Sequence, residues 1–226
     1  MPTKLDKPRV LAVLAGEDFP LDRLDLWLRT ADVVIAADGA ANALNQLGRV
    51  AAITVGDLDS ISDESRSRQK ELVQIDDQNS TDCDKLLDLA LQRGYSSLSL
   101  IGVEGDLLDH TLGTLRSVGL SCLNIRIILR RGVAYVLRGP IEKHLLLPES
   151  TRLSLMPLTP CVGVNLIGTQ WPLSNAELSP LGANSLSNRA LGPVSIQIQK
   201  GAAVVFLSHP ELEVVKWDDD AEQLAK

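Results

Sequence analysis

The sequence predicts an α/β domain, with a parallel sheet covered by helices on both faces, followed by a smaller antiparallel β-sandwich domain. Three features carry that expectation. In the first half, short unbroken apolar runs alternate with stretches of helical period, and strands apolar on both faces belong to a parallel sheet buried between helices. After about Leu120, strand-like runs succeed one another with no helix between them. Near the end, Val194-Ser195-Ile196-Gln197-Ile198-Gln199 alternates strictly, the mark of a sheet with one wet face. The 226 residues suffice for one large domain or two small ones, at roughly 100–200 residues per domain. The pattern divides them into an α/β domain over 8–130, a β domain over 131–217 and an acidic tail over 218–226.

In chain order, Val10 to Leu14, Val33 to Ala37, Ala51 to Val55, Leu72 to Ile75 and Leu98 to Ile101 read as buried strands. The strongest helix has Cys83, Leu86, Leu87, Ala90 and Leu91 at i, i+3, i+4, i+7 and i+8, which lines one helical face. Leu21, Leu24 and Leu28 mark a second helix, and Leu108, Leu112 and Leu115 a third. Beyond them, Ile125 to Leu129 closes the first sheet, while Val133 to Leu137, His144 to Leu147 and Val194 to Gln199 build the second domain, with Gly, Pro and Asn at the turns.

Composition removes several function classes. With 29 acidic and 22 basic residues, the net charge is −7, which repels a phosphate surface on average and argues against a nucleic-acid or membrane binder. Three widely spaced cysteines, Cys83, Cys122 and Cys161, suggest neither a zinc ribbon nor a disulfide framework. No apolar run approaches the roughly 18 residues of a membrane span, and Met1 to Lys7 lacks a signal-peptide core. The expectation is a cytoplasmic protein. GxxxxGK[ST], GxGxxG after the first strand, GxSxG and HExxH are all missing, which argues against a Walker phosphate cradle, a dinucleotide fold, a nucleophile elbow and a zincin.

Acidic residues gather where ligands bind an open α/β sheet, at the carboxyl ends of the strands. The second strand is followed by Asp38-Gly39-Ala40-Ala41, the third by Gly56-Asp57-Leu58-Asp59-Ser60, the fourth by Asp76 to Asp82, and the fifth by Gly102 to His110, which includes Asp109. Four strand ends that crowd carboxylates favour a cation among them, because like charges a few ångströms apart do not all stay ionised. Hard oxygen ligands in that number suit Mg²⁺, which adds substrate phosphates to its shell. Thr81 and Asp84 have the spacing of a capping pair, and Lys85 lies one turn in, within reach of a phosphate at that helix start.

These loops resemble the thiamine pyrophosphokinase family along nearly the whole chain. Gly56-Asp57-Leu58-Asp59-Ser60 matches its GDxDS motif, Asp38-Gly39-Ala40-Ala41 stands where it has DGGA, and Asp77 to Lys85 matches DQxxTDxxK. Asp109-His110 corresponds to its DH or DQ, while Gln170-Trp171-Pro172-Leu173 and Ser185-Leu186-Ser187-Asn188 resemble its WPL and SxSN signatures. The resemblance implies pyrophosphoryl transfer from ATP to thiamine, giving thiamine diphosphate and AMP. It implies Mg²⁺ on Asp57, Asp59 and Asp82, with Asp109 also at the reacting centre. Asp38, Gln78, Thr81 and Lys85 would line the ATP side. A homodimer is implied as well, with thiamine at the subunit interface, stacked on Trp171 and hydrogen-bonded by Ser185, Ser187 and Asn188.

Two positions depart from the family pattern. Leu107 stands where it usually has Arg, and Val50-Ala51-Ala52 where it often has Pro-Asp. Lost phosphate-binding charge at Leu107 keeps open a thiamine- or nucleotide-binding homologue of little turnover. A pyrophosphokinase for another primary alcohol, such as a hydroxymethylpterin, is a further alternative. Retention of the metal-binding aspartates opposes the first alternative and retention of Trp171 the second. Trp171→Ala is expected to weaken thiamine binding with little effect on ATP. Unchanged thiamine affinity in calorimetry would make the indole a packing residue.

Overall fold

The computed structural model describes residues 8–17 and 19–212, and the chain divides into two units between Ile125 and Arg126. The acidic tail expected over 218–226 lies outside the described residues. The protein has a mixed α/β fold. Its first unit holds β1 (Val10–Val13), α1 (Leu21–Thr30), β2 (Val33–Ala37), α2 (Ala40–Gln46), β3 (Ile53–Gly56), α3 (Asp63–Arg68), β4 (Leu72–Gln74), α4 (Asp82–Gln92), β5 (Ser97–Ile101) and α5 (Leu108–Leu120).

The strands pair in parallel in the order β5-β1-β2-β3-β4. The unbroken apolar runs account for this: β1 and β3 are buried at every residue. Strand β4 is the exception. Leu72 and Gln74 are exposed, as befits an edge strand, so the expected buried strand there is corrected. The order matters for function. From β1 the chain builds outward through β2, β3 and β4, then returns to place β5 on the other side of β1. That reversal opens a crevice at the carboxyl ends of β1 and β5.

Helix α4 forms where its period predicts, with Cys83, Leu86, Leu87 and Ala90 buried; Leu91 is exposed, and Lys85 and Leu89 join the buried face instead. Its start is fixed by a capping box, in which Asp84 N–H donates to Thr81 Oγ1 at 3.1 Å and Thr81 N–H donates to the Asp84 carboxylate at 3.0 Å. Helix α5 is rotated from expectation. Thr114, Ser117 and Val118 face inward, and Leu108 and Leu112 are exposed. In α1 the buried residues are Leu24 and Trp27.

The second unit contains β6 (Asn124–Leu129), which begins at the boundary, β7 (Gly132–Arg138), β8 (Ile141–Leu145), β9 (Arg152–Pro157), β10 (Cys161–Thr169), β11 (Leu173–Leu178), β12 (Ser185–Ile198), β13 (Ala202–Ser208) and a 3-10 turn over Pro210–Leu212. Every pairing among them is antiparallel, in the order β11-β10-β12-β9-β13-β7-β6, with β8 beside β12. Strand β12 pairs with β9 through Ser185–Arg189 and with β8 through Val194–Ile198. The strand expected at His144 to Leu147 starts earlier and ends at Leu145. Among the described residues, no helix is long and apolar enough to cross a membrane.

The crevice at β1 and β5 depends on a tight crossing of two loops. Gly16 N–H donates to the Gly102 carbonyl at 2.9 Å, and Gly102 has φ +82° with Leu14 O only 2.2 Å from where a Cβ would sit. Gly102→Ala is therefore expected to cost at least about 1–3 kcal/mol from backbone strain alone. A urea midpoint equal to that of the parent chain would contradict the crossing.

Candidate active site

The acidic edge of the first unit is organised by one buried carboxylate. Asp38, at the end of β2, is 1% exposed. Its Oδ1 accepts from Gly39 N–H and its Oδ2 from Leu58 N–H, both at 2.7 Å. Burial, and then the charge of Asp82, push its pKa up, against the pull of the two amides. The bond to Leu58 shapes the 56–60 loop. Leu58 adopts φ +68°, a left-handed conformation rare outside glycine, and its side chain is buried with Ala41 and Ile61. This places Asp57 and Asp59 on either side of an inward-facing residue. A Cβ on Gly56 would lie 2.4 Å from the Asp38 carboxyl, so only glycine fits there.

Asp38, Asp57 and Asp59 each offer an oxygen within 4.8 Å of the others. Asp57 Oδ1 accepts from Asp59 N–H at 3.3 Å, and Gln78 Nε2 approaches its Oδ2 at 3.5 Å. The backbone bond from Asp59 heads the causes that hold the Asp57 carboxyl below its ordinary pKa, with Lys85 contributing. The loop's far end is tied down by Asn42, whose Nδ2 donates to Ser60 O at 2.8 Å and whose Oδ1 accepts from Ser62 N–H at 3.0 Å.

Lys85 is the second organiser. It is 4% exposed, yet its ammonium lies 3.7 Å from Asp57 and 3.6 Å from Asp82. A buried ammonium between two carboxylates is a compensated charge. It also makes Asp57 and Asp82 converge on one point. Partial burial raises the pKa of Asp82; Lys85 opposes this and the charge of Asp57 adds to it.

The expected residues thus fall into two sets. Asp38, Asp57, Asp59, Gln78, Asp82 and Lys85 are linked by the contacts above. Thr81 stays in its capping role, its hydroxyl 2.9 Å from the Asp84 carboxylate and 3.2 Å from Ser117 Oγ. Asp109 sits in the first turn of α5, where its carboxylate accepts from His110 N–H, and like Asp82, which is linked through Lys85, it lies outside the group of three aspartates. Leu107, at the N-cap of α5, is 66% exposed. Cys83, beside Asp82, is buried on the inner face of α4, and burial pushes its thiol up to about 12.

Beside Asp38, the crevice opens into a cavity of about 450 Å³ lined by Val13 to Glu17, Phe19, Leu24, Gly39, Ala40, Ala43 and Ile101, among others. The volume and the apolar lining suit a planar ring system. Sequence reasoning missed this cavity, along with the roles of Asn42 and Leu58. The signal available was the unbroken sequence from Asp38 to Asn42, small residues before a polar one, which permits a helix to start against the strand end.

In the second unit, the expected thiamine residues also meet. Trp171, 55% exposed, has its backbone hydrogen-bonded by the Asn188 side chain, which in turn lies 3.3 Å from Ser185 Oγ. Ser187 has φ +58° and sits where the register of β12 against β9 shifts. Its hydroxyl accepts from the Arg152 guanidinium at 2.9 Å.

Comparison with known proteins bears on both units. Residues 24–129 match the family model of the thiamin pyrophosphokinase catalytic domain, and residues 142–203 that of the thiamin pyrophosphokinase vitamin B1 binding domain. Among solved structures, thiamine pyrophosphokinase from Bacillus subtilis is similar at a TM-score of 0.74 and 22% identity, over 89% of this chain and 100% of that one. The Candida albicans enzyme is similar at 0.74 and 17%, over 88% and 89%. The yeast enzyme is similar at 0.72 and 17%, over 90% and 86%. No curated protein sequence matches the chain.

Gly56→Ala is expected to displace the Asp38 carboxyl and release the 56–60 loop, abolishing divalent-metal binding while the β unit stays folded. Metal titration by calorimetry checks this, and parental affinity would contradict the arrangement.

Proposed function

This chain belongs to the thiamin pyrophosphokinase family and has that family's activity, thiamine diphosphokinase; from this premise we propose how its own residues carry the transfer of pyrophosphate from ATP to thiamine. The observation that carries the reading is the convergence of Asp57 and Asp82 on Lys85, with Asp59 held alongside by the Asp38 anchor. The donor set, several carboxylates from separate strand ends and no soft ligand, fits a hard cation.

Asp57, Asp59 and Asp82 would hold Mg²⁺, with Asp38 fixing the loop behind them. The ion, when bound, supplies charge neutralisation to the phosphate oxygens. Lys85 fixes Asp57 and Asp82 relative to each other and sets one positive charge beneath the polyphosphate. Gln78 orients the Asp57 carboxylate. The purine ring of ATP would occupy the 450 Å³ cavity, which puts its phosphates toward Asp38 and the 56–60 loop. The hydroxyethyl oxygen of thiamine attacks the β-phosphorus, the bond from that phosphorus to the α–β bridging oxygen breaks, and AMP leaves. Asp59 or Asp109 would accept the hydroxyl proton. Positioning and charge neutralisation do most of this work.

Thiamine would stack on the Trp171 indole, as a cationic aromatic ligand favours a tryptophan face. The enzyme would act as a homodimer with thiamine at the subunit interface. Helices on both faces of the parallel sheet and a sandwich of the antiparallel strands complete the proposed architecture.

The test is an end-point assay of purified chain with ATP, thiamine and Mg²⁺, resolving nucleotide and thiamine products by chromatography. Equal amounts of AMP and thiamine diphosphate are expected; thiamine bound without either product would leave only a binding protein. Asp57→Asn should lower kcat by roughly a hundredfold or more with the fold retained, and parental turnover would remove the metal-site reading. Leu107→Arg should raise kcat, since a guanidinium at the exposed head of α5 adds transition-state charge. An unchanged rate would mean that the phosphate charge is met by other groups.

A further inference from the structure

The segment that carries Trp171 runs out of strand partner, and a side chain takes that partner's place. Up to Gln170 the backbone of β12 holds it: Thr169 stands opposite Ala190, and Gln170 N–H donates to Arg189 O at 2.9 Å. At Trp171 the ladder stops. There the Asn188 Oδ1 accepts from Trp171 N–H at 3.1 Å, and its Nδ2 donates to Trp171 O at 2.6 Å. One primary amide thus does for Trp171 what the facing residue does in an antiparallel hydrogen-bonded pair.

The backbone of β12 is arranged to permit this. Its register against β9 shifts between Ser185 and Asn188, and Ser187 takes a left-handed φ of +58° with its N–H donated to Ser154 Oγ at 3.0 Å. Bulges of this kind re-aim a side chain. Here the re-aimed side chain is Asn188, which ends up 1% exposed.

Its hydrogen-bonding capacity is fully used. An amide oxygen accepts two bonds and an amide nitrogen donates two. Oδ1 takes Trp171 N–H and Arg189 N–H, the latter at 2.8 Å. Nδ2 serves Trp171 O and faces the hydroxyls of Ser185 at 3.3 Å and Thr169 at 3.4 Å. Nothing remains to offer a ligand. On the other side of Trp171, Pro172 biases its backbone toward the extended region, while the indole stays more than half exposed.

We propose that Asn188 is a positioning residue: it locks the backbone of Trp171 so that the indole presents a fixed face to thiamine, and it does not touch thiamine itself. The proposal rests on the reading of Trp171 as the thiamine-stacking residue, and it replaces the direct contact that the SxSN resemblance implies for Asn188.

A double-mutant cycle on the full chain separates the two roles. Asn188→Asp keeps the acceptor for Trp171 N–H but sets an oxygen against Trp171 O. Thiamine dissociation constants are measured for the parent, Asn188→Asp, Trp171→Ala and the pair. Asn188→Asp should weaken thiamine roughly tenfold when Trp171 is present and twofold or less when it is Ala, since coupled sites are not additive. The same fold-loss in both backgrounds would overturn the proposal, because a direct contact survives loss of the indole. Asn188→Ser, which cannot bridge both backbone groups, serves the same cycle where Asn188→Asp does not fold.

Fluorine NMR of the unliganded chain labelled with 5-fluorotryptophan gives a readout independent of thiamine. The Trp171 resonance, identified by its loss in Trp171→Phe, should shift or broaden in both Asn188 variants. An unmoved resonance overturns the positioning role. A parent chain that binds no thiamine, but whose Trp171 resonance responds to Asn188, retires the substrate reading and leaves the clamp standing.

Discussion

The acidic edge depends on the burial of the Asp38 carboxylate. An unpaired charge in that place would cost several kcal/mol. Two backbone amides meet it instead, and one of them belongs to a residue twenty positions away, Leu58. That bond transfers the rigidity of β2 to the loop after β3. Leu58 bears backbone strain of about 1–3 kcal/mol for its left-handed turn. Burying its side chain against Ala41 and Ile61 returns a comparable about 1.5–3 kcal/mol. The two terms nearly cancel, so the strained loop is tolerated.

Much of this was legible in the sequence, for reasons that differ by element. The parallel strands were visible because burial on both faces leaves an unbroken apolar run. Helix α4 was visible because its period and its capping pair agree. Helix α3 was not, since Asp63 to Arg68 contains no apolar residue. It stands on the Ser62 cap, with acidic residues in the first turn and basic residues in the last. Helix α5 misled because its leucines, Leu108 and Leu112, lie on the outer face while small polar residues, Thr114 and Ser117, pack inward. Periodicity shows which residues share a side and leaves unsaid which side is covered. In the second unit, β9 and β11 are short and β10 is interrupted by Gly163 and Gly168, which weakens their signals, whereas β13 carries an unbroken apolar run from Ala202 to Leu207 that was there to be read.

The site residues show the same division. Residue types pointed to Asp57 and Asp59 as candidate metal ligands. They did not announce that Asp38 and Asn188 act through backbone groups. Both side chains sit in recognisable motifs, yet both point inward and spend their polar atoms on neighbouring amides. A motif records that a residue type is required at a position; whether it serves a ligand or the loop beside it depends on the fold.

Lys85 has a consequence for the charge balance of the acidic edge. With its ammonium 3.7 Å from Asp57 and 3.6 Å from Asp82, the chain itself supplies a counter-ion to these two carboxylates. On the metal-site reading proposed above, a divalent ion would enter a site whose repulsion is already partly relieved, and would gain less than among bare carboxylates.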